Sequence, residues 1–355
     1  MLKYKLKGKY KMNEVGNNLK RTRLLKKLSL KQAGDLLNMS STAVAKYEKG
    51  DIIPDSQKLI EFSRAYNVNV LDLLKVYNKP QMKFIAFRKR KRLTGQNLDL
   101  LKDIIMNEVG NYIEVLNYND INNTIKLPQY KCNSIEDAEV AAQKFRNFIE
   151  ISELQPIVNL INILENLGIY IIQIKNSNNR FKDFDGLSEI VENIPFIIIL
   201  DDIKDGARQR FTIAHELGHL LINCNKEIEE KLYNRFASAL LMPKKAIINE
   251  FGNYRKTISF YEYVTVKEEY KVSYAAINYR LKDLNIINDY LYKKMSIYIS
   301  THFGKDDPNP IKPEITYQYK KIVHKLENED IISINKACEL LGETADEFNR
   351  EDYNC

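Results

Sequence analysis

The stretch FTIAHELGHLLIN (211–223) sets two histidines four residues apart, with a glutamate directly after the first. The chain has only four histidines, at 215, 219, 302 and 324. On an α-helix, positions i and i+4 share one face. His215 and His219 can therefore hold one tetrahedral ion at about 2.0–2.1 Å each. Glu216 is rotated about 100° from His215, so it reaches a water beside the ion rather than the ion itself. This is the residue set of metal-assisted hydrolysis, with Glu216 as general base. Phe211, Ala214, Leu217 and Leu221 recur at helical spacing, with Ile213 and Leu220 beside them, which predicts a buried helix. Gly218 costs about 1 kcal/mol in a helix interior relative to Ala, which points to the close approach of another backbone or of substrate. The competing reading is an amphipathic helix carrying two solvent-facing or capping histidines.

A catalytic zinc takes three protein ligands and keeps a fourth position open. No downstream Cys pair or HxxGxxH extension follows His219, so the third ligand is expected to be a carboxylate. Glu227, Glu229 and Glu230 all fall near the right place, and spacing alone does not separate them. The zinc helix is expected to run to about Asn223. A second helix is expected over EIEEKLYNRFASALLMP, closed by Pro243. Upstream, SIEDAEVAAQKFRNFIEI (134–151) reads as a helix capped by Ser134, and ELQPIVNLINILENLGI (153–169) as another ended by Gly168. YIIQIKN and PFIIILDD read as short buried strands. FDGLSEI lies between them with no element assigned.

A length of 355 residues suggests two or three domains. No run of eighteen apolar residues occurs, so no membrane partner is expected. The basic start MLKYKLKGKYKMNEVG lacks the apolar core of a secretion signal. Cys132, Cys224, Cys338 and Cys355 are scattered and form no CxxC pair, which argues against a disulfide framework and a cysteine zinc site. A reducing cytoplasm is the expected compartment.

The net charge of +7 hides a split. Residues 1–95 hold 23 Lys and Arg against 7 Asp and Glu, while the remainder holds 31 against 40. The first quarter thus carries the footprint of a polyanion binder. Within residues 13–76 the pattern predicts four or five short helices. Ser29 caps LKQAGDLLN, a turn at Met39–Ser40 leads into SSTAVAKYEKG, and Gly50 ends that helix. Pro54 opens the next turn before SQKLIEFSRAYN, and VNVLDLL follows. Two short helices joined by about three residues form a helix-turn-helix.

Arg23, Ser29, Val44, Glu48, Gly50, Pro54 and VNVLDLL together make this segment resemble the lambda-repressor/Cro-like (XRE) family. The resemblance implies that the second helix of the pair enters the major groove of double-stranded DNA. Ser41 and Thr42 are then the candidates for base edges, and Lys46 and Lys49 for phosphates. Arg23 and Glu48 resemble the family's structural ion pair. Leu30 stands where the family often has a phosphate-contacting Gln, and Ala33-Gly34 replaces its usual Leu-Ala. The basic run FRKRKRLTGQ (87–96) reads as a linker that adds to phosphate binding.

The stretch RQRFTIAHELGHLL…EEKLYNRFASALLMP is similar to the ImmA/IrrE metallopeptidases. EDAEVAAQKFR, LQPIVNLINILENLGI, FDGLSEI and VSYAAINYRLKDLNII share that family's order over roughly residues 130–290. The resemblance implies that the acidic ligand lies four residues before the Asn of the block Tyr233-Asn234-Arg235-Phe236-Ala237, which makes it Glu230. It implies Zn²⁺ held by His215, His219 and Glu230, with Glu216 as catalytic base and Asn234 supporting a ligand. Tyr233 replaces the family's usual Ala.

The expected fold is mainly α with an α+β part. It comprises a helix-turn-helix domain (13–76), a basic connecting region (77–129), a zincin-like peptidase domain with a small sheet (130–295), and a Pro-rich linker with a small helical tail (304–355). In the tail, two short helices are expected around Gly342, the second capped by Thr344, while His302 and His324 are expected at the surface. The implied activity is zinc-dependent endopeptidase cleavage of a transcriptional repressor, or of the chain itself, in stress response or mobile-element regulation. The rival is a transcription regulator whose peptidase-like domain only senses metal or holds a partner. The expected partners are DNA and a protein substrate, and a homodimer is allowed.

Overall fold

The computed structural model describes residues 2–75, 80–84, 95–118, 126–176, 180–181, 183–201, 205–303 and 309–351, with side chains from 14 to 349. The basic run 87–94, the linker residues 77–79 and 304–308, and Cys355 lie outside the described residues. Contacts divide the chain into two units. One comprises Met1–Lys79 and Gly95–Asn111, the other Pro80–Thr94 and Tyr112–Cys355.

The first unit is helical: α1 (Leu2–Leu25), α2 (Leu30–Leu37), α3 (Ser41–Lys49), α4 (Ser56–Tyr66), α5 (Val70–Leu74) and the start of α6 (Gln96–Tyr118). Ser29 and Gln32 form a reciprocal capping box on α2. Left-handed Asn38 and Gly50 end α2 and α3. Leu19, Ala33, Leu37, Val44, Leu59, Phe62, Tyr66 and Leu73 make the core. The α2–α3 turn crosses over Gly34, where a Cβ would come within 2.5 Å of the Met39 carbonyl. The glycine in place of the usual alanine therefore tightens this turn. Buried Glu48 accepts both Nε and Nη2 of Arg23, at 2.5 and 2.8 Å, tying α3 to α1.

The second unit continues with β1 (Tyr130–Cys132), α7 (Ile135–Phe148), α8 (Leu160–Asn166), β2 (Tyr170–Ile174), β3 (Gly186–Val191), β4 (Ile194–Leu200), α9 (Gly206–Leu221), β5 (Ile222–Cys224) and α10 (Glu229–Leu241). Next come α11 (Lys244–Phe251), α12 (Phe260–Tyr270), α13 (Tyr274–Asp283), α14 (Asp289–Phe303), α15 (Gln318–Asn328), α16 (Ile334–Leu341) and α17 (Ala345–Glu351). A three-stranded sheet has the order β2-β4-β3, with β2 parallel and β3 antiparallel to β4. The β3–β4 hairpin turns on Glu192 and Asn193, both at positive φ, as a two-residue primed turn requires. Ile197 and Ile199 of β4 face the core that also takes Ile213, Leu217 and Leu221 of α9.

Two of the expected helices come out shorter for a visible reason. α8 begins at Leu160, not near Glu153. Arg146 takes the carbonyls of Ser152 and Gln155, and Arg210 takes that of Ile157, so these groups are drawn out of any helical ladder. Pro156 adds a missing donor. The helix of His215 and His219 stops at Leu221 because Ile222–Cys224 pair in parallel with Tyr130–Cys132. FDGLSEI supplies strand β3, which the sequence pattern left unassigned. In the tail, left-handed Gly342 ends α16, and Thr344 and Glu347 cap α17 reciprocally. His302 is exposed, whereas His324 is half-buried and stacks on Phe348 at 4.3 Å. No described helix is long and apolar enough to cross a membrane.

Candidate metal centre and DNA-binding face

Three side chains converge where α9 meets α10. His215 Nε2 lies 3.3 Å from His219 Nε2 and 3.5 Å from Glu230 Oε2. One donor atom from each of the three lies within 4.8 Å of the others. Donors about 2.0–2.1 Å from a shared ion at the tetrahedral angle stand about 3.3–3.4 Å apart. The spacing and the neutral-nitrogen, carboxylate donor set therefore fit zinc. His215 is largely buried, while Glu230 remains more than half exposed, which leaves an approach from solvent.

The neighbours of the cluster fix its orientation. Asn234 Oδ1 sits 3.0 Å from His215 Nδ1, so the proton belongs on Nδ1 and the lone pair on Nε2, towards His219 and Glu230. Burial lowers the affinity of His215 for a second proton. The hydrogen bond to Glu230 and the charges of Glu216 and Glu230 outweigh burial, and its pKa lies above the ordinary histidine value. The Tyr233 ring covers His219 with centroids 4.0 Å apart. A Cβ on Gly218 would lie 3.4 Å from the Tyr233 Cα and from Phe236, at the limit of ordinary contact, so α10 packs directly on this turn of α9.

Glu216 is only 1 % exposed. Its Oε2 accepts a 3.0 Å hydrogen bond from Ser188 Oγ on β3. A Cβ on Gly186 would stand 3.0 Å from Glu216 Cγ and from Thr212, so glycine lets β3 lie against the helix here. Sequence reasoning named neither Ser188 nor Gly186, because no local spacing marks a partner 28 residues away. Glu229 also heads α10 but is not part of the convergent set.

In the first unit, Ser40 caps α3 by accepting from the Ala43 N–H at 3.1 Å. Ser41 and Thr42 follow on the exposed N-terminal turn, and Lys46 and Lys49 are exposed further along the same helix. Val44 and Glu48 face inward. The four residues thus share the solvent side of the second helix of the pair.

Residues 164–282 match the sequence model of the IrrE N-terminal-like domain, a peptidase family, and residues 19–73 match that of the helix-turn-helix. The chain joins an XRE-type helix-turn-helix domain to an IrrE-like domain. No curated protein matches it. Two solved structures align with low similarity. The Bacillus thuringiensis PlcR, solved with the peptide PapR7 and DNA, is 13% identical with a TM-score of 0.18, over 96% of this chain and 98% of that one. The Streptococcus dysgalactiae SHP pheromone receptor Rgg2 is 15% identical with a TM-score of 0.17, over 90% and 95%. Likeness at that level carries no argument. The His215, His219 and Glu230 cluster lies within the IrrE-like match, and the α3 face within the helix-turn-helix match.

Proposed function

We propose that the chain is a DNA-binding zinc endopeptidase that cleaves a transcriptional repressor, or itself, in the cytoplasm, as part of stress response or mobile-element regulation. The convergence of His215, His219 and Glu230, with Glu216 next in sequence to the first, carries this reading. Zinc held there would polarise the scissile carbonyl and lower the pKa of water at the open position. The chain's own residues do the rest. Asn234 holds His215 in the tautomer that presents Nε2. Glu216 takes the proton of the attacking water and passes it to the leaving amine. Ser188 steadies the Glu216 carboxylate from β3. The exposed α3 face brings the chain to its target on DNA.

The burial of Glu216 favours a second reading, in which the IrrE-like domain only senses metal or holds a partner. The deciding experiment is incubation of the zinc-loaded chain with the repressors encoded beside it, with and without a chelator. Zinc-dependent appearance of repressor fragments supports the peptidase. Stoichiometric zinc with no fragment from any of them, or from the chain itself, supports the sensor.

A further inference from the structure

Two of the four scattered cysteines are neighbours in space. β1 and β5 run parallel, and their register sets Cys132 opposite Cys224. Adjacent strands lie about 4.7–4.9 Å apart, and residues in register project to the same face. That separation falls inside the about 4.4–6.8 Å Cα window of a disulfide. Both are free thiols, Cys132 buried and Cys224 half-buried. Burial, with the charges of Asp137 and Cys224 nearby, pushes the Cys132 thiol up to about 11, so it stays protonated. The Cys224 thiol donates to the Tyr233 hydroxyl at 3.7 Å, and Tyr233 is the ring that covers His219.

We propose that Cys132 and Cys224 form a reversible disulfide when the chain meets hydrogen peroxide. The Cys224 sulfur, the less buried of the two residues, attacks one peroxide oxygen, the O–O bond breaks, and a sulfenic acid and one water result. The Cys132 thiol then attacks the Cys224 sulfur, giving its proton to the departing oxygen as it does so. The S–S bond forms, the S–O bond breaks, and hydroxide leaves with the Cys132 proton as a second water. Two thiols are oxidised by two electrons and one peroxide is reduced to two waters. The bond removes the S–H that donates to Tyr233, so the oxidation state of the pair acts on the ring packed against His219. In a reducing compartment such a bond is transient, which suits a sensor rather than a structural staple.

Peptide mapping tests this on the full chain. Dilute protein is treated with hydrogen peroxide, quenched, alkylated under denaturing conditions and digested. The expected product joins the Cys132 peptide to the Cys224 peptide within a monomer, disappears with dithiothreitol, and leaves Cys338 alkylated. In the Cys224→Ser variant the same treatment should leave Cys132 alkylated. Alkylation of both Cys132 and Cys224 after peroxide would overturn the proposal. So would a join found only between chains, or over-oxidation of Cys224 beside an alkylated Cys132.

Discussion

Asn234 Oδ1 lies 3.0 Å from His215 Nδ1, one turn of α10 after Glu230. The same helix therefore supplies a carboxylate to one nitrogen of His215 and an acceptor to the other. Loss of such an outer partner typically lowers metal affinity about 10–100-fold. Asn234→Ala should weaken zinc binding by that factor in a competitive chelator titration, while His215→Ala abolishes stoichiometric zinc. An Asn234→Ala chain with unchanged affinity would remove the orienting role.

The third ligand is tested by neighbours on the first turn of α10. Glu230 converges with the two histidines, and Glu229 does not. Glu230→Ala should strongly reduce the zinc found by elemental analysis, from about one ion per chain, whereas Glu229→Ala should leave it intact. The reverse result would reassign the ligand.

The α3 face predicts a division of labour on DNA. Lys46 and Lys49 are exposed and basic, so Lys46→Ala should weaken binding to most duplexes alike and lower the log–log salt slope by about 0.9. Changes at Ser41 or Thr42 should alter sequence preference instead. Fluorescence anisotropy across salt concentrations and operator variants separates the two effects. Binding that survives removal of residues 1–80 unchanged would place the DNA contact elsewhere.

What the sequence reveals here follows the range of each interaction. The shared face of His215 and His219 is a property of five consecutive residues, and the helix-turn-helix is marked by local caps at Ser29, Ser40 and Gly50. Ser188 and Glu216 meet only after β3 folds against α9, and Cys132 meets Cys224 only through a parallel ladder. The late start of α8 has the same origin: Arg146 and Arg210 reach its approach from α7 and α9 and take carbonyls that local propensity assigns to a helix. Gly34 shows the converse, since a departure from the family's usual Ala is required by a backbone 2.5 Å from where its Cβ would stand.

Glu165 predicts a pH dependence of stability. Its carboxyl is buried, and burial raises its pKa from 4.5 to about 7, even though the backbone N–H groups of Gln318 and Tyr317 donate to it. Between these values the folded chain binds more protons than the unfolded one, so this group's contribution is complete below 4.5 and is lost as pH rises towards 7. The slope is at most about 1.4 kcal/mol per pH unit. Glu165→Gln keeps an acceptor but cannot ionise, and should flatten that part of a stability–pH curve measured by urea unfolding. A slope equal to wild type would assign the effect to another group.

Glu216→Gln separates catalysis from sensing. The change preserves the side chain's size, and its carbonyl oxygen can still accept from Ser188. Glu216 lies outside the convergent ligand set, so the variant should fold, bind zinc as wild type does, and keep its DNA affinity. It lacks the base, and loss of general-base catalysis typically costs about 10²–10⁴-fold in rate. A gel time course of repressor or self-cleavage should therefore show almost no fragment from the variant. In cells the regulated genes should stay as they are without the chain's activity. If Glu216→Gln regulates those genes as well as wild type while His215→Ala does not, the metal serves sensing or structure, and the IrrE-like domain works without hydrolysis.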